Sequence, residues 1–118
     1  MIIWGIDIGI HGALTMFDVA NGVLEIHDMP IVERNGKKLV SGHLVANILR
    51  THHGIVWIER VGARPGQGVS SMFSFGRSAG IVEGVAIALD MPINLVTPQA
   101  WQRKCLVQSG KDGSRSRA

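Results

Sequence analysis

The chain has 118 residues, of which 46% are hydrophobic and 18% charged, a composition that fits one globular domain and excludes a disordered protein. This length is too short for two lobes that enclose a ligand between them. The net charge of +3 favours an anionic partner, and the single cysteine, Cys105, excludes an internal disulfide. With no apolar run long enough for a membrane span and no leader peptide, we expect a soluble cytoplasmic protein with no membrane partner.

The first stretch predicts an apolar strand that delivers one carboxylate, Asp7, and then stops. Its apolar residues suit a strand buried on both faces: Ile2, Ile3, Trp4 and Ile6. A carboxylate at the end of such a strand is costly unless a cation or hydrogen-bond donors satisfy it. Two interpretations of Asp7 are open: its side chain begins a turn by accepting backbone amides of residues 8–11, or it binds a metal ion with a second carboxylate.

Two further strands complete a predicted three-stranded antiparallel meander. Residues 13–19 and 23–29 have strand composition, and Asn21-Gly22 between them is a strong hairpin signal. Residues 9–12 predict the tight turn that joins the first strand to the second.

The middle of the chain predicts a helix and then a short buried strand. Pro30 ends the meander, and residues 33–38 predict a polar connecting loop. Ser41 is the predicted N-cap of a helix that runs to about Thr51. Residues 55–58 are wholly apolar, which is typical of a strand in parallel pairing.

A second carboxylate, Glu59, follows that strand directly. If the strand lies beside the first, Asp7 and Glu59 emerge side by side at the sheet edge and repel each other unless a divalent cation lies between them. The alternative for Glu59 is an exposed residue balanced by Arg60 or Arg64, although adjacent strand residues point to opposite faces, which disfavours Arg60. The two acids together favour a metal site.

A glycine-rich loop and a long helix follow. The loop at residues 62–68 lacks the spacing of a phosphate-binding loop. Residues 69–90 predict the helix, in which Gly76, Gly80 and Gly84 form one stripe because they recur every fourth position. This stripe has two interpretations, close packing on the sheet or close approach to a twin helix in a homodimer.

The start of the long helix carries apolar side chains that could contact a ligand. We interpret Phe75 as part of the core, whereas Phe73 with Met72 could form a wedge that stacks on an unpaired base. The polar residues near them are Arg64, Gln67 and Arg77.

The last part of the chain is its most basic part. Residues 93–96 predict a final strand and residues 97–107 a helix. The sequence from residue 101 to residue 118 is rich in cations such as Lys104 and Lys111. A solvated terminal extension and an anion-binding segment are both open interpretations of residues 101–118.

This order of elements resembles the α/β ribonuclease H-like fold, a five-stranded mixed sheet with an antiparallel meander, parallel strands and flanking helices. Within that superfamily the chain resembles RuvC-type Holliday-junction resolvases, especially the phage and prophage branch. The resemblance covers nearly all of residues 1–118, as one domain. Five segments carry it: Gly5-Ile6-Asp7-Ile8-Gly9, Ile58-Glu59, residues 66–76, Thr97-Pro98-Gln99-Ala100-Trp101 and residues 111–115.

The resemblance implies hydrolysis of phosphodiesters at four-way DNA junctions by a homodimer that uses Mg²⁺ or Mn²⁺. It implies that Asp7 bridges two metal ions, that Glu59 binds one of them, and that the dimer is built around the long helix, with Gly76, Gly80 and Gly84 at its interface. The implied DNA-binding residues are Arg64, Gln67, Ser70, Ser71, Phe73, Arg77, Lys104 and Lys111.

The chain departs from this family pattern at its end. Such resolvases complete the site with two further acids, or an acid and a histidine, on a final helix, and the sequence stops at Ala118 before that helix. Asp112 lies too early to substitute, and Gln102 stands where relatives tend to have lysine. We therefore expect a truncated form or a fragment, with an incomplete two-metal site.

Two other functions are open. A noncatalytic module that binds junctions or dimerises needs only the basic residues. An actin-like or sugar-kinase nucleotide binder also begins with an Asp-x-Gly strand and a hairpin, but such proteins need two lobes.

Overall fold

A computed structural model describes residues 1–59 and 68–96 of the chain. Its elements in chain order are β1 (Ile2–Asp7), β2 (Ala13–Asp18), β3 (Val23–Asp28), β4 (Ile31–Arg34), β5 (Lys37–Val40), α1 (Gly42–Leu49), β6 (Ile55–Glu59), α2 (Val69–Ala88) and β7 (Ile93–Val96). The predictions made for residues 60–67 and 97–118 lie outside the described residues.

Strand β1 is the centre of the main sheet, whose strands lie in the order β3-β2-β1-β6-β7. The first three strands pair antiparallel, and β6 pairs parallel with both β1 and β7. The predicted five-stranded mixed sheet is confirmed.

One face of this sheet packs against the two helices to form the core. Because side chains alternate along a strand, Trp4 and Ile6 of β1 point to this face and are buried. The indole Nε1 of Trp4 donates a hydrogen bond to the backbone oxygen of His52, at 2.8 Å. The other core residues of the sheet and helices include Leu14, Met16, Val45, Leu49, Val56, Ile58, Val82 and Ala86. Burial of each large side chain contributes roughly 1.5–3 kcal/mol.

The opposite face of the sheet is not buried by the described elements, so for this part of the chain the prediction that β1 is buried on both faces is wrong. Gly5 and Asp7 are exposed on that face, and Trp57 in β6 retains 43% of its accessible surface. Asp7 therefore lies in contact with water, and the large desolvation cost expected of a buried carboxylate does not arise.

The polar connecting loop predicted at residues 33–38 is instead part of a second hairpin, formed by β4 and β5. Its turn residues, Asn35 and Gly36, have φ of 52° and 75°, as a two-residue turn with positive φ at both positions requires. Leu39 and Val40 are buried, and β5 contacts α2. The hairpin forms because the apolar end of β5 packs near the helix, although its tip is polar.

Helix α1 begins as predicted, since the Ser41 hydroxyl accepts a hydrogen bond from the amide of Leu44 at 3.2 Å. It ends at Leu49, slightly before the predicted boundary at Thr51.

Helix α2 turns its glycine stripe away from the sheet. Its buried residues are Ser78, Val82 and Ala86. Gly76, Gly80 and Gly84 are exposed, and a Cβ built on any of them meets no described atom within 4 Å. Packing of the stripe on the sheet, one of its two interpretations, is therefore wrong. No helix among the described residues has the length and apolarity to span a membrane.

Candidate functional site

The two carboxylates singled out in the sequence emerge together at one edge of the sheet. Strands β1 and β6 are parallel neighbours whose last registered pair is Ile6 with Ile58, so Asp7 and Glu59 follow as the next pair. Neighbouring strands lie about 4.8 Å apart, and both side chains are exposed. The predicted juxtaposition of these two acids is present in the structure.

The turn after β1 fixes the position of Asp7. The amide of Gly12 donates to the carbonyl of Gly9 at 3.1 Å, and Gly9 has a φ of 140°. A Cβ on Gly12 would overlap the backbone oxygen of Asp7, so the turn packs directly against the end of β1 and requires glycine there.

This turn does not use the Asp7 side chain. Within residues 1–59 and 68–96, no hydrogen bond and no salt bridge reaches the Asp7 carboxylate, and the one ion pair, at 3.6 Å, joins His27 and Glu25. The interpretation of Asp7 as a turn-forming side chain is therefore wrong for the described part of the chain. None of the described residues occupies the oxygen atoms of this carboxylate.

A depression of about 410 Å³ opens in front of the two acids. Its floor includes Gly5, which has no side chain, and the small residue Ala13; the exposed indole of Trp57 forms part of its wall. The remaining lining residues are Ile6, Asp7, Thr15, Ile58, Glu59 and Val96.

The chemistry of this donor set fits a hard divalent cation. Mg²⁺ is commonly held by one or two carboxylates together with waters and substrate phosphates, and Asp7 and Glu59 supply two carboxylates with no Lys or Arg of the described chain within 4.0 Å. The described residues contain no group of three or more His, Cys, Asp or Glu side chains able to hold a metal ion. Two carboxylates suit one hydrated cation.

A third acid lies in the same row of the sheet. Asp28 pairs with Ala13, which pairs with Asp7, so Asp28 and Asp7 share a face but are separated by an intervening strand. At about 4.8 Å per strand this places their backbones roughly 10 Å apart, and Asp28 is not among the residues that line the depression. Asp28 was not among the predicted site residues.

The predicted DNA-binding residues divide into two groups. Ser70, Ser71, Phe73 and Arg77 lie exposed on the first half of α2, and Phe73 keeps 70% of its surface accessible. Phe75 packs against the core, as expected. The other four lie outside the described residues: Arg64, Gln67, Lys104 and Lys111.

Sequence reasoning missed the cations of the β4–β5 hairpin. Arg34 and Lys37 line a depression that Arg77 and Phe73 also line. The signal that could have revealed them is Asn35-Gly36, which predicts a hairpin as Asn21-Gly22 does.

No protein-family model and no curated protein matches the chain. Among solved structures, it is similar to RuvC of Thermus thermophilus in complex with a Holliday junction substrate, with a TM-score of 0.58 and 16% identity over 84% of this chain and 66% of that one. A second RuvC structure from Thermus thermophilus gives a TM-score of 0.51 and 19% identity over 83% and 64% of the two chains.

These similarities define the fold. The chain has a ribonuclease H-like fold, and in particular the RuvC-like form of it. It spans slightly less than two thirds of the RuvC chains that it matches.

Proposed function

We propose that this chain is a metal-dependent endonuclease that resolves four-way DNA junctions by phosphodiester hydrolysis. The observation that carries the proposal is the emergence of Asp7 and Glu59 from adjacent parallel strands, at the open edge of a RuvC-like fold. The similar RuvC structure, bound to a Holliday junction substrate, supports branched DNA as the substrate class. Because that substrate is intracellular DNA, we place the protein in the cytoplasm.

Asp7 and Glu59 would hold Mg²⁺ or Mn²⁺ at this edge. A cation bound there supplies charge neutralisation at the scissile phosphate and acidifies a water molecule for attack. The central strand and the Gly9–Gly12 turn position the Asp7 carboxylate, and the neighbouring strand β6 positions the Glu59 carboxylate. The depression beside them gives the phosphate access to both.

The start of α2 would contact the DNA. Phe73 is exposed enough to stack on an unpaired base at the junction centre, and Ser70, Ser71 and Arg77 can donate hydrogen bonds to phosphate oxygens. Arg64, Gln67, Lys104 and Lys111 complete the proposed DNA-binding set on the sequence alone.

We further propose that the chain acts as a homodimer, because a four-way junction has approximate twofold symmetry and needs two matched cuts. Support comes from the outer side of α2, where Gly76, Gly80 and Gly84 are exposed together with Ile87, which is 67% accessible. A partner helix could approach this side closely, because the glycines present no side chains.

A labelled four-way junction with Mn²⁺ tests the nuclease. We expect paired nicks from the wild-type chain and a loss of at least about 100-fold in Asp7→Asn and in Glu59→Gln, since each variant keeps the shape but loses a charged ligand. Asp28→Asn is the matched control, because it removes an acid from the same face that does not line the depression. Nicking by Asp7→Asn at the wild-type rate would contradict the proposal.

A noncatalytic junction-binding module is the second candidate. The observation in its favour is that only two carboxylates, Asp7 and Glu59, line the depression among the described residues, with no larger ligand cluster there. The same gel separates the two functions, because binding without catalysis gives a salt-sensitive shift and no nicks.

A further inference from the structure

A groove between the β4–β5 hairpin and the first half of α2 is independent of the carboxylate edge. It consists of two adjoining depressions of about 430 and 440 Å³, both lined by Arg34, Leu39 and Arg77. We call it the hairpin groove and define it by Arg34, Lys37, Leu39, Phe73, Ser74 and Arg77.

The two faces of the hairpin carry different charges. Arg34 is paired with Lys37 across the ladder, and both line the groove. Glu33 is paired with Lys38 and, because adjacent strand residues point to opposite sides, this pair lies on the other face. The one acid of the hairpin is thus directed away from the groove.

The groove therefore concentrates positive charge at a cost. Like charges placed directly opposite each other on a ladder are destabilising, and Arg77 adds a third cation from α2. Within the described part of the chain, no carboxylate lies within 4.0 Å of any of these three cations. An anion bound in the groove would relieve this repulsion.

The groove is also held in place by the core. Leu39 and Val40 of β5 are 8% and 2% accessible, and the side chain of Ile81 in α2 lies against Gly42 at the start of α1. The cations are consequently presented on a packed hairpin rather than on a loose loop.

The neighbourhood of the groove points to nucleic acid as the anion. Phe73, which also lines it, keeps 70% of its surface accessible. Cations that contact phosphates beside an exposed aromatic ring that stacks on bases are the usual composition of a nucleic-acid surface.

The base of the hairpin lies at the same end of the sheet as the carboxylates. Asp28 ends β3 in the row of Asp7, the amide of Met29 donates to the carbonyl of Gly12 at 3.0 Å, and Ser41 donates from its amide to Pro30 at 2.9 Å. The hairpin is anchored between these two bonds, so its base lies at the edge where Asp7 emerges.

We propose that the hairpin groove binds the phosphodiester backbone of a DNA arm through Arg34, Lys37 and Arg77. This inference rests on the proposed function, since the arm belongs to the junction whose phosphate reaches Asp7 and Glu59. It adds the hairpin to the DNA-binding surface.

The test measures binding of a labelled four-way junction by the full chain over a series of salt concentrations, in EDTA so that no cleavage occurs. The double variant Arg34→Ala/Lys37→Ala should bind at least about tenfold more weakly, and the slope of log K against log salt should fall by about 1.8, or about 0.9 for each lost phosphate contact. Lys38→Ala is the matched control, because it removes one cation from the opposite face of the same hairpin, and its affinity should change less than about twofold.

A second double variant, Arg34→Lys/Lys37→Arg, keeps the charge and should keep the salt slope even if the alanine variant misfolds, which circular dichroism would reveal. Unchanged affinity and an unchanged salt slope in a folded alanine variant would show that the hairpin groove does not bind DNA. If the wild-type chain still nicks the junction, the proposed nuclease function is unaffected by that result. A third outcome is salt-sensitive binding that the alanine variant weakens, with no Mn²⁺-dependent nicks from the wild-type chain. It would support DNA binding by the hairpin groove and contradict the nuclease function. Absence of any DNA binding by the wild-type chain would overturn both.

Discussion

At the residue scale, the position of Asp7 depends on a neighbour without a side chain. Gly12 folds back over the end of β1, so close to the Asp7 carbonyl that even a methyl group does not fit. The carboxylate is aimed by its backbone, since it forms no hydrogen bond of its own with the described residues.

We therefore predict that Gly12→Ala destabilises the protein by about 2–4 kcal/mol, because the turn or β1 must shift to relieve the overlap. Urea unfolding followed by circular dichroism measures this change. Gly5→Ala is the control, since a Cβ on Gly5 meets no described atom within 4 Å. Equal unfolding free energies of the two variants would show that the turn adjusts to the added methyl group without loss of stability.

A second residue-scale prediction concerns Asp18 at the β2–β3 turn. The side-chain amide of Asn21 donates to its carboxylate at 2.8 Å, and this bond, helped by the amides of Ala20 and Asn21, lowers the pKa of Asp18. A lowered pKa contributes stability above the pKa of the unfolded chain, and this contribution is lost as the pH falls through the folded value.

In Asn21→Ala the pKa of Asp18 should accordingly rise towards its ordinary value, and the acid-induced loss of stability at this turn should shrink. Carboxyl-carbon NMR titration of Asp18 measures the shift. Asn94→Ala removes an exposed amide from β7 and should leave this titration as it is. A titration curve unaltered by Asn21→Ala would assign the lowered pKa to the backbone instead.

At the element scale, α1 depends on its cap, because it has only eight residues and no acidic side chain in its first turn. We predict that Ser41→Ala costs about 1 kcal/mol of unfolding free energy, through loss of the bond to the Leu44 amide. Ser41→Thr keeps the hydroxyl and should recover most of it. Equal losses in both variants would point to packing around this nearly buried residue as the cause.

The outer side of α2 gives a prediction about assembly. In Gly80→Leu, a bulky side chain would separate two helices that meet at the glycine stripe, so the proposed homodimer should dissociate at least about tenfold more readily. Analytical ultracentrifugation over a range of protein concentrations measures this. Ser70→Leu places the same side chain on α2 off the stripe and should leave the dimer intact. If both variants sediment like the wild type, the stripe does not form the interface.

At the scale of the whole molecule, the sequence foretells the main sheet well, because its strands are marked by local signals. Apolar runs, the Asn21-Gly22 turn and the paired acids at two strand ends predict both the order of elements and the candidate site. These signals depend on neighbours in the chain and therefore need no knowledge of the tertiary structure.

The features that were missed depend on distant contacts. The charged residues around Asn35 and Gly36 suggest a loop, and the hairpin forms there because Leu39 and Val40 pack near α2, far along the chain. The burial of β1 was misjudged for a related reason, since an apolar sequence cannot show whether one or two layers cover a sheet. The groove cations could not be predicted until the hairpin itself was known.

The pairing of β1 with β6 also has a consequence for the order in which the protein folds. Strands β1, β2 and β3 pair with their immediate neighbours in the chain, whereas β1 meets β6 only after the whole segment between Ile3 and Ile55 has closed into a loop. Such non-local contacts carry the larger entropic cost and tend to form late in folding. A cation held by Asp7 and Glu59 should then slow unfolding and leave the folding rate nearly unchanged. The edge that we propose for cleavage would in that case also set the lifetime of the folded state.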